Sequence, residues 1–308
     1  KADVVIENFL PGKLAKFGLD YESLSFSNPG LVYCSISGFG QDGPRRDEPG
    51  YDFVIQAMSG FMALTGEPEG EPMKHGMSIS DLFCGLYSTI AIQSALAMRA
   101  RTGTGQHIDM ALFDCSVALL AHQAQSYFTT GQNPPRMGNM HAQVSAYGVF
   151  PTKDGPVVLA PANDRLFRKL LEVFERHDLL GDERFATNEA RIANRSEIDL
   201  IIADETAQWD RETLLRHCRE AGVPAGPIND MADIERDEQL AERDMFVTLH
   251  HDVMGDVRVV GSPLKFSATP VVYNSPPPLA GEHTESLLRE RLTLTDEQIE
   301  DLRARNII

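Results

Sequence analysis

The chain has 308 residues, with 28 basic and 45 acidic side chains for a formal net charge of −17, and it is 42% hydrophobic and 24% charged. That length supports one or two domains with a substantial core, and the composition excludes disordered and fibrous classes. So acidic a chain, without any run of Lys and Arg, is repelled by a phosphate backbone, so no nucleic-acid partner is expected. A small anionic ligand stays compatible, because a few local cations outweigh a distant net charge.

Cys34, Cys84, Cys115 and Cys218 stand singly, with no CxxC pair. That spacing provides neither a zinc site nor a disulfide framework and suits a reducing, cytoplasmic location. The longest apolar stretch, 85–98, is broken by Ser88, Gln93 and Ser94 and falls short of the ~20 residues a membrane helix needs. The opening KADVVIENF has no signal-peptide pattern, and no membrane partner is expected.

In chain order, residues 2–6 and 31–36 are brief β-branched runs bounded by turn residues and read as buried strands. Between them Pro11-Gly12 opens a helical segment with Leu14 and Phe17 on one side, and Gly18 stops it. Strand, helix and strand at this spacing imply a parallel βαβ unit. Gly38, Gly40, Gly43 and Pro44 mark a loop. From Asp81 to about Arg101 the pattern is helical, with Leu82, Phe83, Leu86, Tyr87, Ile90, Ile92 and Leu96 apolar on almost every side, which predicts a buried helix. Arg99 and Arg101 favour its C-terminal end, and Gly103 and Gly105 terminate it. A strand over 107–112 and a helix from about Asp114 follow.

Composition then shifts. Residues 131–138 contain Pro134, Pro135 and two glycines and read as a linker or binding loop. A strand over 157–160 precedes a helix bearing Leu166, Phe167, Leu170, Leu171 and Phe174, with Asp164 as its expected N-cap. Helices near 196–204 and 211–220 and strands near 246–250 and 257–260 complete a smaller α+β region. A tail from about Pro263 ends in a helix around 295–304. The expected layout is a large domain over 1–130, a linker and substrate loop over 131–145, a small α+β domain over 146–260, and a C-terminal return over 261–308.

Seven ordered segments carry more. VVIENFLPGKL (4–14), SISGFGQDGP (35–44), GYDFVIQAMSG (50–60), SISDLFCG (78–85), RTGTGQHIDMAL (101–112), GVPAGPIN (222–229) and PLAGEHT (278–284) together resemble the class III CoA-transferases. That family includes formyl-CoA transferase, carnitine CoA-transferase and α-methylacyl-CoA racemase. The resemblance implies an α/β architecture: a Rossmann-like large domain, a small α+β domain and an interlocked, ring-like homodimer. It also implies a further βα unit ahead of the segment matching 2–8, which supplies part of the CoA site in the family and is not in this sequence.

Asp81 occupies the family's nucleophile position in SISDLFCG. By itself an Asp opening a helix is equally a plain cap; with the other six segments the resemblance makes it the carboxylate that carries the acyl group and then CoA. An Asp with an ordinary pKa near ~3.9 is ionised at neutral pH and needs no base. Tyr51, before Asp52, stands where the racemase branch has a His; a phenol with a pKa near ~10 is poorly suited to α-proton exchange, which favours a transferase. Asn8, Phe9 and Lys16 match positions that contact CoA in formyl-CoA transferase; Tyr51 and Asp52 are counted with them as CoA-binding residues, with packing the alternative for Tyr51 and, for Asp52, a hydrogen bond near the thioester or a role in holding the loop. Arg45 and Arg46 are weaker phosphate candidates.

RMGNMHA (136–142) replaces the long glycine-rich loop of formyl-CoA transferase and more resembles transferases acting on succinyl-CoA and other dicarboxylic acids. Gly138 and His141 are expected to face the acyl group, with Arg136 near an acceptor carboxylate. No metal and no prosthetic group are expected; CoA and acyl-CoA enter as substrates. An epimerase of branched acyl-CoA, or a CoA-binding fragment without catalysis, are the alternatives.

Overall fold

The computed structural model describes residues 2–308, which form two compact units, 2–226 and 227–308. The first unit opens with strand β1 (Val4–Glu7), a short 3₁₀ turn (Leu14–Phe17), helix α1 (Tyr21–Ser27) and strand β2 (Val32–Ser37). Helices α2 (Asp52–Met58), α3 (Phe61–Leu64) and α4 (Ile79–Thr102) follow, then strand β3 (Gln106–Ala111) and helices α5 (Leu112–Ala118) and α6 (Ala121–Thr130). The strands form one parallel sheet in the order β1-β2-β3, with Val4 opposite Val32 and Val32 opposite Gln106. The sequence thus folds as the mixed α/β chain its strand–helix–strand pattern predicts.

Alternation along β2 explains its two faces. Val32 and Cys34 pack against Ile92 and Ala95 of α4. Tyr33 and Ser35 point the other way, where Ser35 Oγ lies 2.9 Å from His107 Nε2 and Tyr21 of α1 stacks on the His107 ring. Helix α1 was not legible in the sequence. YESLSFS carries three serines and no long apolar stripe, and the helix is held by Asp20, whose carboxylate accepts from the Ser23 N–H at its N-terminus.

Helix α4 departs from expectation in two ways. At 24 residues it is longer than the apolar stretch suggested, and by length and composition alone it meets the requirement for a membrane span. It is also not buried all round: Ile92 and Ala95 sit in the core, whereas Leu82, Leu86 and Ile90 are 54%, 59% and 61% exposed. The face toward the sheet is built from small residues, Ser80, Cys84, Ser88 and Ala95, which let helix and sheet approach closely. The larger apolar side chains are left on the opposite face. Gly103, in the left-handed region at φ 75°, ends the helix, and its N–H donates to the Arg99 carbonyl.

The rest of the first unit is a second sheet, β4 (Gly148–Phe150), β5 (Val157–Leu159) and β6 (Ala225–Pro227), with helices α7 (Asp164–Val173), α8 (Asn188–Ala193), α9 (Arg195–Thr206) and α10 (Arg211–Ala221). Its core joins Phe167, Leu170 and Leu171 of α7 to Ile198 and Ile202 of α9 and Leu214 of α10. The N-cap of α7 is Asn163, whose side chain accepts from the Leu166 N–H; Asp164, the predicted cap, is the first helical residue and is committed elsewhere. It pairs at 2.7 Å with Arg191, which is fully buried, lies 4.2 Å from the Phe167 ring and donates to the Phe185 carbonyl.

The second unit contains α11 (Met231–Glu235), α12 (Glu238–Glu242), the antiparallel hairpin β7 (Phe246–His251) and β8 (Gly255–Val260), then α13 (Thr284–Leu292) and α14 (Asp296–Ala304). His251, at the hairpin's end, is buried. Its Nδ1 accepts from the Val253 and Met254 N–H groups, so Nε2 carries the proton and faces Glu282 at 3.3 Å. Glu282 also accepts from the Leu279 N–H. The glutamate of the PLAGEHT segment therefore ties the tail to the hairpin.

Candidate active site

Helices that connect parallel strands return against the strand direction, so their N-termini lie at the strands' carboxyl ends, where open α/β sheets bind ligands. A cleft of about 550 Å³ lies here. Asn8 and Phe9 leave β1 into it, Ser37 and Gly38 leave β2, and Leu112 follows β3. Gly50 and Tyr51 form another part of the wall, and Asp81 and Cys84 enter from the first turns of α4.

Gly38 and Gly50 make this wall close-fitting. A Cβ on Gly38 would stand 2.6 Å from the Gly50 Cα and 2.8 Å from its nitrogen, and a Cβ on Gly50 would stand 2.6 Å from the Gly38 Cα. Backbone touches backbone, so the segment leading into Tyr51 and Asp52 is seated on the end of β2.

Asp81 lies in the first turn of α4 and, among the described residues, its carboxylate makes no side-chain hydrogen bond. Its side chain is open to solvent on one side, yet the cleft wall removes part of its hydration. That desolvation first, and the charge of Asp52 second, push its carboxyl above the usual aspartate value. Asp52 opens α2, and one of its carboxylate oxygens accepts from the Ser80 N–H at 2.9 Å. It thereby takes up a free amide at the start of α4, a role that Ser78, the N-cap residue, does not fill with its own side chain. Behind it, the buried Ser116 hydroxyl donates to Ser80 Oγ at 3.0 Å.

The structure brings together Asn8, Phe9, Tyr51 and Asp81 of the residues singled out by sequence, with Asp52 one layer behind through Ser80. Lys16 sits exposed in the 3₁₀ turn and does not line the cleft. Arg45 and Arg46 are engaged with Glu48 at 3.3 Å and Asp47 at 3.7 Å. Gly138 and His141 are also not in the cleft wall. The Gly138 N–H donates to the Gly66 carbonyl, and the His141 ring packs 5.1 Å from that of Tyr147. Arg136 donates to the carbonyls of Glu67 and Gly70 and lines a separate cavity of about 650 Å³ with Tyr127 and Phe128. No group of three or more His, Cys, Asp or Glu placed to hold a metal ion occurs among the described residues. Sequence reasoning missed Ser80, Gly50 and Gln56. The spacing of Asp52 and Gln56, one helical turn apart in GYDFVIQAMSG, was the available signal for the last.

Known proteins resemble this chain along most of its length. The model of CoA-transferase family III matches residues 1–284. The succinate–glutarate CoA-transferase of Agrobacterium fabrum is 48% identical over 293 residues, covering 95% of this chain and 73% of that protein. The succinyl-CoA:glutarate CoA-transferase of Mus musculus is 34% identical over 306 residues, covering 99% of this chain and 70% of its own length. A crystal structure of a CAIB/BAIF family protein from Brucella suis superposes with a TM-score of 0.82 at 49% identity, over 94% of this chain and 75% of that one. With an aspartate in a cleft at the sheet's carboxyl edge and relatives matched along nearly its whole length, this chain belongs to CoA-transferase family III and is a CoA-transferase.

Proposed function

We propose that the protein transfers CoA from succinyl-CoA to a dicarboxylic acid such as glutarate, through covalent intermediates on Asp81. The observation that carries this reading is the free Asp81 carboxylate in the wall of a cleft shared with Asn8 and Phe9. The relatives named for succinate, succinyl-CoA and glutarate support the substrate class.

Each step balances. An Asp81 oxygen attacks the thioester carbonyl and CoA thiolate leaves, giving a mixed anhydride. The thiolate then attacks the aspartyl carbonyl, releases the donor acid as its carboxylate and leaves an aspartyl-CoA thioester. The acceptor carboxylate displaces CoA to form a second anhydride, and CoA thiolate attacks the acceptor's carbonyl, restoring Asp81. The attacking group must be ionised, and desolvation together with the Asp52 charge makes the Asp81 anion less stabilised and so more ready to attack. Tyr51 at the cleft, where a proton-exchanging His would serve an epimerase, favours transfer over racemisation.

The finer architecture follows from the same family reading: a Rossmann-like CoA-binding region in the cytoplasm, working as a homodimer. The exposed apolar face of α4 supports burial against further protein. Incubation with succinyl-CoA and glutarate, followed by mass spectrometry, tests the proposal. Glutaryl-CoA, succinate and a hydroxylamine-sensitive adduct on Asp81 are expected. An adduct on another residue, or unimpaired turnover in Asp81→Asn, overturns it.

A further inference from the structure

Gln56 is fully buried and uses its amide to join Asp52 of its own helix to the 75–77 segment. Its Nε2 donates to Asp52 Oδ2 at 2.7 Å and lies 3.5 Å from the Met77 carbonyl, while its Oε1 accepts from the His75 N–H at 2.8 Å. Turning the amide over would set its oxygen against a carboxylate and a carbonyl, so this network admits one orientation. Asp52, one helical turn earlier on α2, is thereby held with its other oxygen on the Ser80 N–H.

Residue 80 immediately precedes Asp81, and the first turn of a helix offers free N–H groups that an acidic side chain there would readily accept. A carboxylate that accepts such bonds is stabilised as the anion and gives up some of its reactivity toward a carbonyl. Here Asp52 occupies the Ser80 amide from outside the helix, and Asp81 keeps no donor among the described residues.

We propose that Gln56 is a positioning residue for the transfer reaction: by locking Asp52 onto the start of α4, it keeps the Asp81 carboxylate bare and facing the cleft. The inference rests on Asp81 as the nucleophile. It assigns to Gln56 a role in reactivity, beyond filling space between α2 and α4. The like charge of Asp52, fixed in place, acts in the same direction as desolvation on Asp81.

The test uses the full chain with Gln56→Leu and Gln56→Glu, reading the Asp81 carboxyl titration by ¹³C NMR, with the Asp81 signal identified by its loss in Asp81→Asn. In the unaltered protein Asp81 titrates above the ordinary aspartate range. In Gln56→Leu the midpoint falls toward that range, turnover of succinyl-CoA with glutarate drops about 100-fold, and CoA affinity stays within about twofold. In Gln56→Glu a protonated carboxyl can donate to Asp52, so its activity relative to the Leu variant rises as pH falls. Should Gln56→Leu not fold, Gln56→Met keeps the length and volume. A folded Leu or Met variant whose Asp81 titrates as in the unaltered protein overturns the proposal, as does an ordinary midpoint in the unaltered protein. Absence of any transferase activity or Asp81 adduct in the unaltered protein would instead count against the nucleophile reading, and the titration would still judge Gln56.

Discussion

Gly38→Ala should cripple the enzyme while adding only one methyl group. The new Cβ would lie 2.6 Å from the Gly50 Cα and 2.8 Å from its nitrogen, against the roughly 3.5–4.0 Å at which carbon atoms rest. Both obstacles are backbone, so no side-chain rotation relieves an overlap of roughly 1 Å. Either the end of β2 or the segment leading into α2 must move by about that distance. Overpacking of this kind costs about 1–3 kcal/mol, which for a chain this size lowers the melting temperature by several degrees. The functional cost is larger, because Tyr51 and Asp52 ride on the displaced segment and Asp52 is bonded to the amide before Asp81. A misplacement of about 1 Å near a reacting group is worth about 100-fold in turnover. Parallel measurements of thermal melting and of glutaryl-CoA formation would check this. Gly38→Ala with turnover within twofold of the unaltered protein and the same melting temperature would refute the claim that this glycine contact positions the site.

Asp81→Asn should abolish turnover without loss of stability. Because the folded-state pKa of Asp81 lies above its unfolded value, the native state holds its proton more tightly, and stability falls as pH rises through the interval between the two values. At neutral pH the substitution therefore leaves melting unchanged or raises it, and the difference closes below the ordinary aspartate value. Asp164→Asn leaves the buried Arg191 guanidinium without its counter-charge. Asp164 is partly exposed, and the Phe185 carbonyl and Phe167 ring remain, so the loss should be about 2 kcal/mol, below the full cost of orphaning a buried charge, by denaturant melting. Glu282→Ala should speed hydrogen exchange around 279–284 by removing the acceptor of the Leu279 N–H and the partner of His251. The Leu279 amide holds the Glu282 carboxyl below its usual value, so this tie is complete above the ordinary glutamate range and weakens as pH falls through the lowered value.

Much of the fold is legible in local pattern because its elements are locally determined. The β-branched runs of β1 and β2, the Gly18 and Gly103 stops and the periodic apolar positions of α7 all point the same way in sequence and in space. What escaped depends on contacts distant in sequence. Helix α1 leans on a cap and on Tyr21 against His107, 86 positions away, and has little apolar periodicity of its own. The exposed side of α4 was misjudged because an all-round apolar helix looks the same whether its large or its small residues meet the sheet. Within the site, Asp81, Asn8 and Phe9 were accessible through ordered motifs. Gln56 was not, since its importance comes from joining the 75–77 segment to the start of α4. Gly138 and His141 were drawn from a loop whose local chemistry suits an acyl group, but their bonds in the chain go to Gly66, Gln143 and the Tyr147 ring.

The four thiols have a practical consequence for enzymology. None exceeds 5% exposure, and burial pushes Cys34 upward and Cys218 to about 11, away from the reactive thiolate. In the proposed transfer coenzyme A passes from one thioester to another, so no free sulfhydryl accumulates with turnover, and colour from a sulfhydryl reagent reports a thioester lost to water. A slow rise in colour without acyl-CoA present would report the buried thiols becoming accessible as the chain opens.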